Sequence, residues 1–144
     1  MRDDVGVSLR RLIWVAPVTV ASAVLAVLAV RLVSVAVLEL PPPPDTFLPL
    51  GWFFPIVDTV VLVTAAVLVF VLVARWSKAP GRAYWWIALA ALAVSMLPDF
   101  GMHTRRPDLF TWPRTIALMI MHVAAWWVTV TLLTRLTACS KPAD

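Results

Sequence analysis

The 144-residue sequence is poor in the residues that carry chemistry, with one cysteine, two histidines and charged residues at only 14%. A single cysteine excludes an internal disulfide and any metal cage built from several thiolates. So little charge is atypical of soluble domains, in which about a quarter of the residues are charged. Hydrophobic residues instead make up 62% of the chain, and the mean hydropathy is +0.91. The composition therefore predicts an integral membrane protein.

The apolar residues fall into four runs separated by short polar segments. The first run, Leu12–Val30, contains no charged residue, and about 20 apolar residues at 1.5 Å each cross a hydrocarbon core of ~30 Å. Prolines 41–44 are expected to end this helix, because proline cannot continue one. The pattern predicts an all-α integral membrane antiparallel bundle of four transmembrane helices, over about residues 12–38, 55–74, 82–98 and 113–136. Residues 1–144 form one domain in this interpretation.

The basic residues predict the orientation of these helices. Cytoplasmic segments carry an excess of Lys and Arg. Of the 12 basic residues, eight fall in the two tails and the 75–82 loop: Arg2, Arg10, Arg11, Arg75, Lys78, Arg82, Arg135 and Lys141. Both tails are therefore expected to be short and cytoplasmic.

Aromatic residues cluster near the predicted helix ends, as they do at membrane–water interfaces. Trp14, Trp76 and the run Tyr84–Trp86 are expected at the cytoplasmic interface. The group Trp52–Phe54 is expected at the opposite one.

Four ionisable residues lie within the apolar runs or at their ends: Arg31, Asp58, Asp99 and His122. A charged residue at membrane depth costs about 2.5–3.5 kcal/mol on insertion scales, so such a residue is expected to have a partner or a function. In the predicted topology all four fall in the outer half, with His122 ~13 Å along the fourth helix and near mid-membrane. We expect them to line one polar pocket open to the outside, with an Arg31–carboxylate ion pair. Glu39 and Arg114 are further candidates for this pocket.

The same four residues also admit a structural interpretation. Arg31, Asp58 and Asp99 would then be interfacial and would extend toward the lipid headgroups. His122 would be a neutral histidine that is hydrogen-bonded to a neighbouring hydroxyl or carbonyl group.

Several chemistries lack the residues they need. A haem held by two histidines requires a pair on facing helices, and His103 is expected in the outer loop. There is no close-spaced set of zinc ligands, no intramembrane lysine for a Schiff base and no glycine-rich phosphate loop. The basic residues form no aromatic-interleaved face, so nucleic acid is not an expected partner. We assign no catalytic residue, cofactor or metal.

The segment Ser95–Asp99 (SMLPD), a loop, and the segment Ala117–Ala125 (ALMIMHVAA) resemble the DUF6069 family of small bacterial four-helix integral membrane proteins. The resemblance extends over roughly residues 10–135 in helix number and order. It implies a protein of the bacterial cytoplasmic membrane and carries no established activity. The four prolines at 41–44 and the pair Trp126–Trp127 do not match the family pattern.

Three functions are open. The leading hypothesis is a non-enzymatic protein that binds a lipid, a hydrophobic small molecule or a membrane partner through the outward-facing polar pocket. An alternative is a small proton-coupled transporter that works as a homo-oligomer, with Asp58 and His122 in proton coupling. The third is a membrane enzyme with His122 and an aspartate as acid and base.

Overall fold

The computed structural model of the protein describes residues 5–8, 10–38 and 48–140. Four long helices form a bundle, and each is long and apolar enough to cross a membrane. They are α1 (Leu12–Leu38), α2 (Phe53–Trp76), α3 (Pro80–Arg105) and α4 (Trp112–Leu136). The predicted all-α bundle of four membrane-spanning helices is confirmed, and the chain is a multi-pass membrane protein.

The two tails meet at one end of the bundle. Strands β1 (Val5–Val7) and β2 (Ala138–Ser140) pair antiparallel. The start of α1 and the end of α4 therefore lie together, and we call this the strand end. The segments 51–52 and 106–111 lie at the opposite end. The sequence pattern did not predict these strands, because three residues are too few to show a period.

The four helices are unequally packed. The α1–α4 interface is the most extensive, whereas α2 and α3 meet much less. Buried residues of α1 recur every fourth position, including Thr19, Ala23 and Val27, so they form one stripe along the helix. Small side chains in such a stripe let neighbouring helices approach closely. By contrast, α3 buries only Pro80 and Tyr84 among its described residues.

Helix α3 extends beyond its predicted end at Pro98. The structure continues it to Arg105, so Asp99 lies inside the helix and His103 lies in its last turn rather than in a loop. Proline removes one backbone hydrogen bond, but that loss alone does not always stop a helix. The end of α3 is held by His103, whose Nδ1 atom contacts the carbonyl of Phe110. Its ring centroid lies 4.1 Å from that of Trp112.

Tyr84 belongs to the core rather than to the predicted interfacial cluster. It is 1% exposed, whereas Trp86 is 59% exposed and Trp76 is 82% exposed. The Tyr84 ring meets Phe70 edge-to-face, with 4.9 Å between centroids. Side chains of successive helical residues point about 100° apart. Tyr84 can therefore face inward although Trp85 and Trp86, which follow it in the sequence, are exposed.

Candidate functional site

A cavity of about 270 Å³ lies among α2, α3 and α4 near the opposite end of the bundle. Its lining brings together three of the four predicted site residues, Asp58, Asp99 and His122. Most of the remaining lining is apolar and includes Leu62 and Leu118. We call this the polar cavity.

Asp99 and His122 form a close pair in the polar cavity. Their Oδ2 and Nε2 atoms are 3.2 Å apart, and the side chains are 14% and 25% exposed respectively. The two atoms are close enough for an ion pair, but they lack the alignment of a hydrogen bond, and Asp99 Oδ2 is buried without a hydrogen-bond partner. Among the described residues, His122 is thus the side chain that is placed to neutralise this carboxylate.

Asp58 lines the same cavity from α2 but is exposed. It makes no hydrogen bond or ion pair with any residue that the structure describes. The hydroxyl of the neighbouring Thr59 is engaged, since it donates to the carbonyl of Pro55 at 2.6 Å. Asp58 is thus a carboxylate at the cavity wall that is free to meet a ligand.

Arg31 lies outside the polar cavity, in contrast to the prediction. It is 6% exposed, and its Nε atom donates to the carbonyls of Leu50 at 2.7 Å and Gly51 at 3.3 Å. Its guanidinium carbon lies 3.8 Å from the ring centroid of Trp52. Among the described residues, Arg31 makes no ion pair with a carboxylate, because backbone carbonyls and an aromatic face surround the cation instead. Through its hydrogen bond to Leu50, Arg31 connects α1 to the short 3-10 turn Leu48–Leu50.

The structure describes one of the two further candidates, Arg114, which does not line the polar cavity. Arg114 Nη1 donates to the carbonyl of Leu109 at 3.0 Å, in the segment between α3 and α4. Glu39 lies outside the described residues, as do prolines 41–44.

A second cavity, also of about 270 Å³, continues toward the strand end. We call it the apolar cavity, because aliphatic residues of α2, α3 and α4 form most of its lining. The two cavities share Leu62, Val63, His122 and Ala125 and therefore adjoin; we call the two together the groove, with His122 at their junction. Phe54 and Val69 are the outermost α2 residues of this groove, and helical rise separates them by ~22 Å.

Three residues that line the apolar cavity carry buried polar atoms that sequence reasoning did not single out. The Tyr84 hydroxyl, Trp126 Nε1 and Thr129 Oγ1 are inaccessible to water and have no hydrogen-bond partner, as is also true of Thr19 Oγ1 on α1, which lines neither cavity. No sequence signal marks them, because tyrosine, tryptophan and threonine in apolar helices usually find a partner. Whether these atoms find partners depends on how the helices pack, and the sequence pattern does not show that.

No family model, curated protein or solved structure matches the chain. The fold and the cavities define a small multi-pass membrane protein with one elongated groove. Within the described residues, no three His, Cys, Asp or Glu side chains are grouped to hold a metal ion. A close carboxylate–imidazole pair at one end and mainly apolar walls along the rest are the chemistry that this groove offers.

Proposed function

We propose that this protein binds a lipid-like or hydrophobic small molecule in the groove among α2, α3 and α4. The observation that carries the proposal is the pair of adjoining cavities, of about 270 Å³ each, with mainly apolar walls and three ionisable groups at one end. Ligand sites in proteins typically combine such apolar concave walls with a few well-placed polar groups.

The position of the groove suits a ligand that arrives from the bilayer. Leu62 and Ile87, which line the apolar cavity, are 50% and 43% exposed at the protein surface. Both belong to membrane-spanning helices, so this side of the groove would open toward lipid. An amphipathic molecule would then place its polar end near Asp58, Asp99 and His122 and its apolar part toward the strand end.

The proposed orientation follows from the basic residues and puts both tails and the strand end in the cytoplasm. The pairing of β1 with β2 supports this proposal, because it brings both tails to one side. The polar cavity would then face the outside. Membership in the DUF6069 family, a bacterial cytoplasmic membrane, and a homo-oligomer or other membrane partner stay predictions.

Filling the groove tests the proposal. Ala91 and Ala93 are both exposed on α3, but Ala91 lines the apolar cavity and Ala93 lines neither cavity. We expect Ala91→Trp to reduce the lipid-like material that copurifies in mild detergent at least about fivefold, because the indole would occupy the ligand's volume. Mass spectrometry of the purified chain measures this retention. Ala93→Trp should retain as much as the wild type, and equal losses in both variants would contradict the proposal.

One observation favours proton-coupled transport as a second candidate function. The Asp99–His122 pair lies in the polar cavity, and His122 also lines the apolar cavity, so a ligand passing along the groove would meet this histidine. Histidine changes charge near physiological pH, and intramembrane histidine–carboxylate pairs suit proton relays. In this function the protonation of the pair would depend on the occupancy of the groove.

A further inference from the structure

The side chains that line the polar cavity carry an unbalanced charge. Asp58 and Asp99 contribute two carboxylates, and His122 is the lining side chain that can become positive. Among the described residues, no lysine or arginine lines either cavity. With both aspartates ionised, the lining has one net negative charge when His122 is protonated and two when it is neutral. This end of the groove is therefore negative in either form of the histidine.

The two carboxylates differ in how their charge is compensated. Asp99 Oδ2 lies 3.2 Å from His122 Nε2. Asp58 is exposed at the cavity wall and makes no ion pair or hydrogen bond with a described residue. It lies in the second turn of α2, a helix long and apolar enough to cross a membrane. A charge in such a helix is less costly with an opposite charge beside it, so Asp58 favours a cationic ligand.

Basic residues near this end of the bundle do not bring a positive charge into the cavity lining. Arg31 and Arg114 donate to backbone carbonyls, and neither lines the polar cavity. The segment 39–47, which lies outside the described residues, contains two acidic residues in its sequence and no lysine or arginine. Within the described part of the chain, a positive charge in the polar cavity therefore comes from His122 or from a ligand.

The lining fits an organic cation better than a bare metal ion. No three His, Cys, Asp or Glu side chains are grouped to hold a metal within the described residues. Apolar side chains such as Leu62 and Leu118 lie next to the carboxylates in the cavity wall. An ammonium group that carries an apolar chain matches both features, because its charge suits Asp58 and its chain suits the mainly aliphatic apolar cavity.

We propose that the groove binds a cationic amphiphile, an organic amine whose ammonium group lies beside Asp58 and whose apolar chain extends into the apolar cavity. This ligand class rests on the proposed groove function and specifies the head group that the groove accepts. The whole chain has a formal net charge of +4 at pH 7, which by itself would attract anions. A preference for cations is therefore a property of the groove and not of the net charge of the protein.

Three probes with the same alkyl chain length and different head groups test the ligand class. Dodecylamine is cationic at neutral pH, dodecanol has an uncharged head group of similar size, and dodecanoate is anionic. Scintillation proximity binding of each labelled probe to the full chain in a non-ionic detergent measures the affinities, with protein-free micelles as the background. We expect dodecylamine to bind about tenfold more tightly than dodecanol, because the Asp58 carboxylate attracts it. Dodecanoate should bind more weakly than dodecanol.

A conservative variant then locates the attracting charge. Asp58→Asn should weaken dodecylamine binding at least about fivefold and leave the affinity for dodecanol within about twofold. Asp58→Glu keeps the charge and should keep the preference for dodecylamine. Asp108→Asn is the matched control, because it removes the same unit of charge from an exposed residue that lines neither cavity. Its affinity for dodecylamine should equal that of the wild type.

The outcomes separate the ligand class from the groove function. Equal affinities for dodecylamine and dodecanol, tighter binding of dodecanoate, or equal effects of Asp58→Asn and Asp108→Asn would overturn the cationic head group. The groove function would still hold if Ala91→Trp weakened the binding of the probes and Ala93→Trp did not. Failure of the wild type to bind any of the three probes would count against both proposals.

Discussion

The two cavities of the groove lie mainly among the same three helices and have similar volumes, but their linings differ in chemistry. The polar cavity carries groups that can change charge, Asp58, Asp99 and His122. Apart from His122, which lines both cavities, the apolar cavity has no acidic or basic side chain in its lining. One end of the groove therefore offers ionisable groups to a ligand, and the other offers mainly apolar walls.

In the proposed function, this difference would give a bound molecule a direction. Helix α3 buries only Pro80 and Tyr84 among its described residues, and it packs more extensively against α4 than against α2. Packing contacts rather than water-driven burial hold membrane helices together. A ligand in the groove would supply contacts to α3 that α2 does not provide, so occupancy should fix α3 in place.

The largest effect is expected from the ionisable pair. In a double-mutant cycle, Asp99→Asn and His122→Gln should show a coupling of roughly 0.5–3 kcal/mol in the free energy of unfolding, as residues in direct contact do. Denaturation in detergent measures it. Asp58→Asn with His122→Gln is the control cycle and should be nearly additive, because Asp58 makes no ion pair with His122. If the effects of Asp99→Asn and His122→Gln were additive, the contact between the two side chains would contribute nothing to the stability of the protein.

The same pair distinguishes binding from transport. A proton-coupled transporter should take up the retained ligand into proteoliposomes in a pH-dependent manner, and His122→Ala should abolish that dependence. A protein that only binds would show no uptake in either form. Ala93→Trp serves as the control for effects of reconstitution.

The number of spans was predictable because length and hydropathy decide it, and neither depends on tertiary contacts. The partners of the polar residues were less predictable. Arg31 was expected to pair with a carboxylate, but it donates to the carbonyls of Leu50 and Gly51. Every residue has a backbone carbonyl, so no side-chain pattern distinguishes these two acceptors.

The candidate site was predictable only in part for the same reason. Depth along each helix brought Asp58, Asp99 and His122 to a common level, since helical rise is constant. Depth does not determine which way a side chain faces. Tyr84 was therefore grouped with its exposed neighbours Trp85 and Trp86, although the structure buries it beside the groove.

A smaller effect, an increase in the free energy of unfolding, is expected from a substitution at the apolar cavity. In the protein stripped of lipid and ligand, Thr129→Val should raise the free energy of unfolding by about 1 kcal/mol, because it removes a buried hydroxyl that has no partner. Thr59→Val in the polar cavity is the control and should lower it, since it deletes the bond to Pro55. Thermal and denaturant unfolding in detergent report both signs. Destabilisation by Thr129→Val equal to that of Thr59→Val would mean that the Thr129 hydroxyl already has a partner.

The smallest effect is expected from an ion pair outside the groove. Arg106 and Asp108 lie 3.2 Å apart in the segment between α3 and α4, with side chains 56% and 62% exposed. The hydrogen bond from Arg106 lowers the pKa of Asp108 below its ordinary value. A lowered pKa contributes stability above the unfolded-state pKa of about 3.9, and this contribution is lost as the pH falls through the folded-state pKa.

Water and salt screen such an exposed pair, so Asp108→Asn should leave the unfolding midpoint within experimental error at neutral pH. Any difference from the wild type should vanish in acid, where Asp108 is protonated in both states. Asp99→Asn, whose side chain is sheltered in the groove, should shift the neutral midpoint measurably. Unfolding midpoints measured against pH test this contrast. Equal shifts of the unfolding midpoint for the two variants would show that the sheltered Asp99–His122 pair stabilises the protein no more than the exposed Arg106–Asp108 pair. The ionisable groups would then not distinguish the polar cavity from the apolar cavity in their effect on stability.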